Sequence, residues 1–168
     1  MKILGTGTIV FADGKDGGRD GTFTGVAQNF TSAISPLSGE FVIQAKHTSN
    51  PIASCSDHEF TRILKKEEPK VKALIKAGEL DHYMVFTNRR KPADKAIANE
   101  KALKKLGPKS VHIFGTDQLR EWLTHHPEVW KNLGFDRFES RLEIGTGDLI
   151  EVMYGFHSLS FPCMNFCI

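Results

Sequence analysis

The chain has 168 residues, of which 40% are hydrophobic and 25% are charged, with a formal net charge of +2. This composition excludes an intrinsically disordered chain, and the length allows one domain with a sizeable core. No apolar run approaches the roughly 20 residues that cross a bilayer, and the N-terminal apolar stretch is too short for a signal peptide. We therefore expect a soluble, cytoplasmic protein without a membrane partner.

Cysteine usage gives neither a disulfide framework nor a structural zinc site. The cysteines, Cys55, Cys163 and Cys167, are odd in number and unevenly spaced. Cys163 and Cys167, even with His157 nearby, lack the second pair of ligands that a structural zinc ion needs.

The first third of the chain predicts three strands around a glycine-rich loop. Residues 8–12 and 21–26 have the β-branched, aromatic or alternating character of strands. Residues 13–21 contain four glycines, which indicates a sharp loop. Residues 29–39 predict a loop or hairpin connection. Residues 40–46 predict a third strand, whose apolar run FVI is typical of a central strand covered on both faces.

The middle of the chain changes to helical periodicity. Ser56 and Glu59 have the spacing of a capping box, and one apolar face then continues as far as Gly78. Pro69 interrupts this face, so we expect a kink or two helices. Residues 81–87 predict the next strand.

Helices and strands alternate over the following residues. A helix is predicted from Pro92 to Gly107, then a strand at 110–114, then a further helix after Thr116. This alternation predicts an α/β protein with a central mixed β-sheet flanked by helices. We assign one domain to residues 1–135, followed by a C-terminal tail of unknown structure at 136–168.

Three side chains suggest the chemistry of this domain. Asp20 lies near the end of the glycine-rich loop, and Gln44 and Lys46, two residues apart on a strand, project from the same face. Carboxylate and amide oxygens are hard ligands for a divalent cation, and a lysine beside them stabilises charge on a phosphate. Taken singly, the three also fit a turn aspartate, a satisfied strand-end amide and a lysine extending to solvent. Together they favour a site for phosphodiester hydrolysis.

The motifs DGGRDG at 16–21 and VIQAKH at 42–47 resemble those of the PD-(D/E)xK restriction-endonuclease-like superfamily, and most closely the Mrr-like restriction endonucleases. The segments 81–88, 111–115 and 119–123 are similar to Mrr-like domains found in larger defence proteins. This resemblance implies a restriction-endonuclease-like fold and a Mg²⁺-dependent DNA endonuclease for restriction in bacterial or phage defence.

The same resemblance implies the roles of individual residues. Asp20, Gln44 and Lys46 are the expected catalytic residues, and Asp20, Gln44 and the Ala45 carbonyl are the expected ligands of Mg²⁺, with Mn²⁺ as an alternative. Domains of this family usually begin with a helix that carries a further acidic residue. This chain starts almost at its first strand, so we expect either that the helix has been lost, that the start is misplaced, or that the domain is truncated.

DNA is the expected partner, with a homodimer or a larger defence-system protein as further candidates. The predicted DNA-contacting residues are Arg19, His47, Arg89, Arg90 and Lys91. Two alternatives stay open: a catalytically impaired DNA-binding module, and a protein-interaction module of a larger defence protein. For the cationic residues from Arg89 onward, the alternative interpretation is a solvated helix face.

Overall fold

A computed structural model describes residue 4 and residues 7–11 and 19–132. Its elements follow the chain as β1 (Ile9–Val10), β2 (Gly21–Thr31), β3 (Pro36–Lys46), α1 (His58–Ala77), β4 (His82–Thr87), α2 (Ala93–Lys104), β5 (Ser110–Phe114), α3 (Thr116–His125) and α4 (Pro127–Asn132). Residues 12–18, which include most of the glycine-rich loop predicted at 13–21, and the predicted tail at 136–168 lie outside the described residues.

The strands form one five-stranded sheet in the order β1-β2-β3-β4-β5. β2 runs antiparallel to both β1 and β3, whereas β3, β4 and β5 run parallel to one another. The carboxyl ends of the three parallel strands therefore share one edge of the sheet. Because Gly21 pairs with Ile43, the start of β2 lies beside the end of β3. This register brings the residues around Asp20 next to Lys46.

Helices cover both faces of the sheet, so the predicted α/β class with a mixed sheet is confirmed. One hydrophobic cluster, the α1-side cluster, joins strand residues to α1 and α2 and contains Val42, Cys55, Phe60, Leu64, Val71, Leu74, Leu80, Tyr83, Val85, Leu103, Val111 and Ile113. The other, the α3-side cluster, includes residues of α3 and α4 and contains Leu4, Phe23, Ala27, Phe30, Phe41, Ile43, Ala45, Met84, Phe86, Phe114, Leu119, Leu123 and Val129. Neighbouring β3 residues alternate between the two clusters, as strand geometry requires.

The structure differs from the sequence prediction for α1 at two points. Of the two outcomes expected at Pro69, a kink or two helices, the division into two helices is wrong, because α1 is one helix from His58 to Ala77. Proline removes one backbone N–H, and the orphaned carbonyl at Lys65 lies on an exposed side of the helix, where water can bind it. The predicted capping box is absent. Asp57 is the N-cap residue and makes no side-chain cap, because its carboxylate accepts the Ser54 N–H (2.8 Å) instead.

The β2–β3 hairpin is longer than predicted. Strand pairing extends to Thr31 and resumes at Pro36, within the segment predicted as a loop or hairpin connection. Gly25 and Gly39 pair across the two strands with φ of +144° and +139°, values that glycine adopts most readily. Beyond this glycine pair the hairpin reaches β5, where the Phe30 ring lies 5.7 Å from that of Phe114. We call residues 26–38 the hairpin arm.

No helix in the described part of the chain is long and apolar enough to span a membrane.

Candidate functional site

The start of β2 and the end of β3 meet through Asp20. Its backbone N–H donates a hydrogen bond to the Ile43 carbonyl (3.0 Å) and so continues the ladder between the two strands. Its carboxylate oxygen Oδ2 accepts the N–H of Ala45 and the side-chain amide of Gln44, the latter at 2.8 Å. The structure therefore brings Asp20, Gln44 and Ala45 together, as the sequence predicts.

Gln44 presents an amide oxygen that lacks a partner. A carboxylate only accepts hydrogen bonds, so the Nε2 end of the amide faces Asp20 and the oxygen Oε1 points elsewhere. Gln44 is 4% exposed, and Oε1 has no hydrogen-bond partner among the described residues. A buried carbonyl oxygen without a donor costs free energy and suits a cation.

Ala45 contributes its backbone to the same place. The N–H and C=O of one strand residue point to the same neighbouring strand. Because the Ala45 N–H bonds to Asp20, the Ala45 carbonyl also faces the side of β3 on which the start of β2 lies. The three residues predicted as metal ligands thus lie at one corner of the sheet, with the amide nitrogen of Gln44, and not its oxygen Oε1, turned toward Asp20.

Lys46 lies on the same face of β3 as Gln44, on the side that α1 covers. Its ammonium Nζ is 3.0 Å from Oε1 of Glu67 in α1, and its side chain is 18% exposed. Its backbone carbonyl accepts the Thr87 hydroxyl (2.6 Å) from the neighbouring strand β4. Both ends of this lysine are therefore held in place.

Glu67 is a site residue that the sequence reasoning missed. It is 7% exposed, and its second carboxylate oxygen lies 3.1 Å from Nζ of Lys70. A signal was present in the sequence, because Glu67 falls in the apolar stripe of α1. The buried residues of that stripe are Phe60, Leu64, Glu67, Val71 and Leu74. A carboxylate that falls on the apolar face of a helix is buried, and a buried charge indicates a specific partner.

Tyr83 is a buried residue close enough to Asp20 and Glu67 to feel both negative charges. It is 1% exposed and pairs with Val42 across the parallel strands, on the α1 side of the sheet. Burial raises the pKa of Tyr83, and the negative charges of Glu67 and Asp20 raise it further. The phenol therefore stays neutral, and both carboxylates act on the same buried group.

Hydrogen bonds from one side-chain amide fix the loops that follow β3 and β4. Asn88, just after β4, accepts the Thr48 N–H (2.9 Å) and donates to the Thr48 carbonyl (2.7 Å). The segment after Lys46 is thus tied to the segment after Thr87. Such a paired clamp limits the freedom of the backbone on which His47 lies.

The predicted DNA-contacting residues have different surroundings. His47 and Arg90 are exposed. Arg19 pairs with Glu79 (2.7 Å) and lies 5.5 Å from the centre of the Phe11 ring. Lys91 is 2.9 Å from Glu100 and its side chain is 20% exposed.

Arg89 requires a correction. Its side chain is 1% exposed, lies over the Phe60 ring and pairs with Glu59 (3.0 Å) and Asp57 (3.6 Å) at the start of α1. The run of cationic residues predicted a surface cluster. Arg89 is buried instead, because it pairs with the two carboxylates at the start of α1. Burial removes Arg89 from the side chains available to phosphate.

Across residues 4, 7–11 and 19–132, no group of three or more histidine, cysteine or acidic side chains is arranged to hold a metal ion. A cation at the Asp20 corner would therefore depend on amide and backbone oxygens beside one carboxylate.

Comparisons of the chain with protein families, with curated proteins and with solved structures return no match.

Proposed function

We propose that the chain is a metal-dependent DNA endonuclease with a restriction-endonuclease-like fold. The observation that carries the proposal is the corner at the end of β3, where Asp20, Gln44 and Ala45 converge and Lys46 follows on the Gln44 face. The motif resemblance supplies the substrate class, and the mixed sheet flanked by helices is the architecture expected from it.

The reaction is phosphodiester hydrolysis, in which a water oxygen bonds to phosphorus and one ester oxygen leaves with a proton. In this chain, Lys46 would bind a non-bridging phosphate oxygen and stabilise the charge that grows there. Asp20 keeps the end of β3 fixed through the Ala45 N–H, so that Lys46 is presented in a defined position. The exposed side chains of His47 and Arg90 are suited to flanking phosphates.

The oxygen donors at this corner are of the chemical type that a hard divalent cation such as Mg²⁺ or Mn²⁺ prefers, and the Gln44 amide would turn Oε1 toward Asp20 to complete the set. Asp20, the unpartnered Oε1 of Gln44 and the Ala45 carbonyl would hold it. When bound, such an ion supplies Lewis-acid activation of water and phosphate. The resemblance alone leads us to propose a role in cytoplasmic defence, as a homodimer or with a larger defence-system partner.

A plasmid-cleavage assay tests this function. We expect the wild-type chain to nick or linearise supercoiled plasmid, modified or unmodified, with Mg²⁺ or Mn²⁺. Asp20→Asn and Lys46→Met should each lower the rate by roughly 100-fold or more, the loss typical of one preorganised charge-stabilising group. Lys72→Met, at an exposed position on α1, is the matched control and should cleave like the wild type.

Intact plasmid in every sample, or equal cleavage by wild type and Asp20→Asn, would contradict an endonuclease. Circular dichroism of each variant separates loss of chemistry from loss of fold.

One observation favours a second candidate, a DNA-binding module without catalysis. The carboxylates of the corner already have partners without a metal, because Asp20 accepts two N–H groups and Glu67 pairs with two lysines. Calorimetric titration with Mn²⁺ separates the two functions. A catalytic site predicts binding that Asp20→Asn weakens, whereas the second candidate predicts none and retains salt-sensitive binding of DNA.

A further inference from the structure

Glu67 occupies a position where packing alone gives no reason for a charge. Its side chain is 9% exposed, and Phe60, Leu64 and Val71 are its buried neighbours on the same face of α1. Burying a carboxylate among apolar groups costs free energy, and pairing offsets this cost only with good geometry. An aliphatic residue would fill the same space without that cost. The explanation must therefore come from what Glu67 contacts.

Its two oxygens hold two lysines of different kinds. Oε1 is 3.0 Å from Nζ of Lys46, whose side chain is 18% exposed at the end of β3. Oε2 is 3.1 Å from Nζ of Lys70, one turn along α1 with its side chain 48% exposed, in an ion pair that lacks the geometry of a hydrogen bond. One buried carboxylate thus joins an inner ammonium group to an outer one.

This arrangement bears on how Lys46 meets a phosphate. A lysine whose only partner is a buried carboxylate would leave that charge unpaired on moving away, which is strongly unfavourable. Here Lys70 already contacts the other oxygen of Glu67. When Lys46 turns to an incoming phosphate oxygen, the carboxylate keeps one cation within reach.

We propose that Glu67 is a positioning residue for Lys46, and that Lys70 is the counter-cation that allows Lys46 to transfer to the substrate phosphate. Glu67 holds the Lys46 ammonium at the end of β3 in the free protein, and Lys70 keeps Glu67 paired once the phosphate is bound. This inference rests on the proposed function and extends it from the corner residues to α1.

Steady-state cleavage kinetics test the positioning role. Glu67→Gln keeps the shape but removes the charge that fixes Lys46, so we expect kcat to fall about 10- to 100-fold, as for a misplaced catalytic group, with KM within about threefold of wild type. Glu67→Asp keeps the charge and should recover part of that loss. If Glu67 only supported the fold, both substitutions would lower kcat by the same factor and would also lower the melting temperature.

A double-mutant cycle tests Lys70. Lys70→Met should lower kcat in the wild-type background, because Glu67 then holds Lys46 more firmly. In the Glu67→Gln background the same change should have almost no effect, since no charge remains to compensate. Equal losses in both backgrounds would overturn the role of Lys70, and Lys72→Met serves as the matched control for a nearby exposed lysine.

Amine labelling gives a readout that does not require cleavage. With an acetylating reagent and peptide mass spectrometry, Lys46 should react more slowly than exposed Lys72 in the wild type, and its rate should rise toward that of Lys72 in Glu67→Gln. An unchanged Lys46 rate would overturn this inference. An inactive wild type overturns the proposed function, whereas an active wild type with unchanged kcat in Glu67→Gln overturns the positioning role alone.

Discussion

The buried charged side chains of Arg89 and Glu67 have opposite surroundings. Arg89 is 1% exposed, but its partners Asp57 and Glu59 lie at the surface, with side chains 40% and 54% exposed. Those carboxylates also lie at the N-terminal end of α1, where the helix dipole favours negative charge. Glu67 is the reverse, a buried anion reached by lysines from the end of β3 and from the helix surface. Arg89 therefore anchors the start of α1, whereas Glu67 connects α1 to the candidate site.

Cys55 is predicted to be an unreactive thiol. It is fully buried, and burial raises its pKa from 9.0 to about 12, although Arg89 and Lys91 act in the opposite direction. At pH 8 the reactive thiolate of Cys55 is therefore much scarcer than that of an ordinary cysteine. We expect iodoacetamide at pH 8 to leave Cys55 unmodified in the native protein and to modify it in denaturant.

Peptide mass spectrometry distinguishes Cys55 from the other cysteines of the chain. Rapid native alkylation of Cys55 would contradict this prediction. The raised pKa of Cys55 also makes the stability of the fold depend on pH. The contribution of the protonated thiol to stability is complete below pH 9 and is lost as the pH rises toward 12.

The β2–β3 hairpin connects the candidate site to the far edge of the sheet. Its inner half carries Asp20 and Lys46, and its arm crosses the α3-side face to contact β5. The Phe30 ring lies 4.9 Å from His112, a residue two strands away from β3 in the sheet order. Burial of this imidazole lowers the pKa of His112, which favours the neutral ring at pH 7. The arm therefore ties the strand that carries the site to the far edge of the sheet.

Gly39 is expected to be the most sensitive position of the hairpin. Its φ of +139° disfavours any side chain, and an added Cβ would collide with the Asp81 carboxylate. That carboxylate accepts the Glu40 N–H (3.1 Å) and pairs with Lys109 (3.0 Å), so it has little room to move. We expect Gly39→Ala to lower the free energy of unfolding by about 1–3 kcal/mol.

Urea denaturation measures this change, with Ser38→Ala at an exposed neighbouring position as the control. Equal stability of Gly39→Ala and wild type would show that the hairpin does not need the backbone conformation at Gly39.

At the scale of the whole molecule, the predicted boundary at residue 135 is open to a direct test. Within the part of the chain that the structure describes, the α1-side and α3-side clusters draw their residues from between Leu4 and Val129. If residues 1–135 form one domain, as the sequence predicts, a chain that ends at residue 135 should unfold in one cooperative transition, with a melting temperature within about 3 °C of the full-length protein, a shift that corresponds to under about 1 kcal/mol.

Differential scanning calorimetry of the two chains makes the comparison. A melting temperature lowered by 10 °C or more, or a transition that loses its cooperativity, would place part of the stabilising core beyond residue 135.

Sequence patterns alone determined the α/β class and the central position of β3, because strand alternation and apolar runs are local properties, whereas the expectation that Asp20 lies near Gln44 came from their chemistry and the motif resemblance. The continuity of α1 through Pro69 and the length of the hairpin arm were not predictable, since exposure of the helix and packing on β5 decide them. Only the tertiary structure buried Arg89 and joined Lys46 to Glu67 across 21 positions of the chain. The physical reason is that these charged pairs form only when α1 packs on the sheet, and the spacing of residues along the chain does not determine that packing.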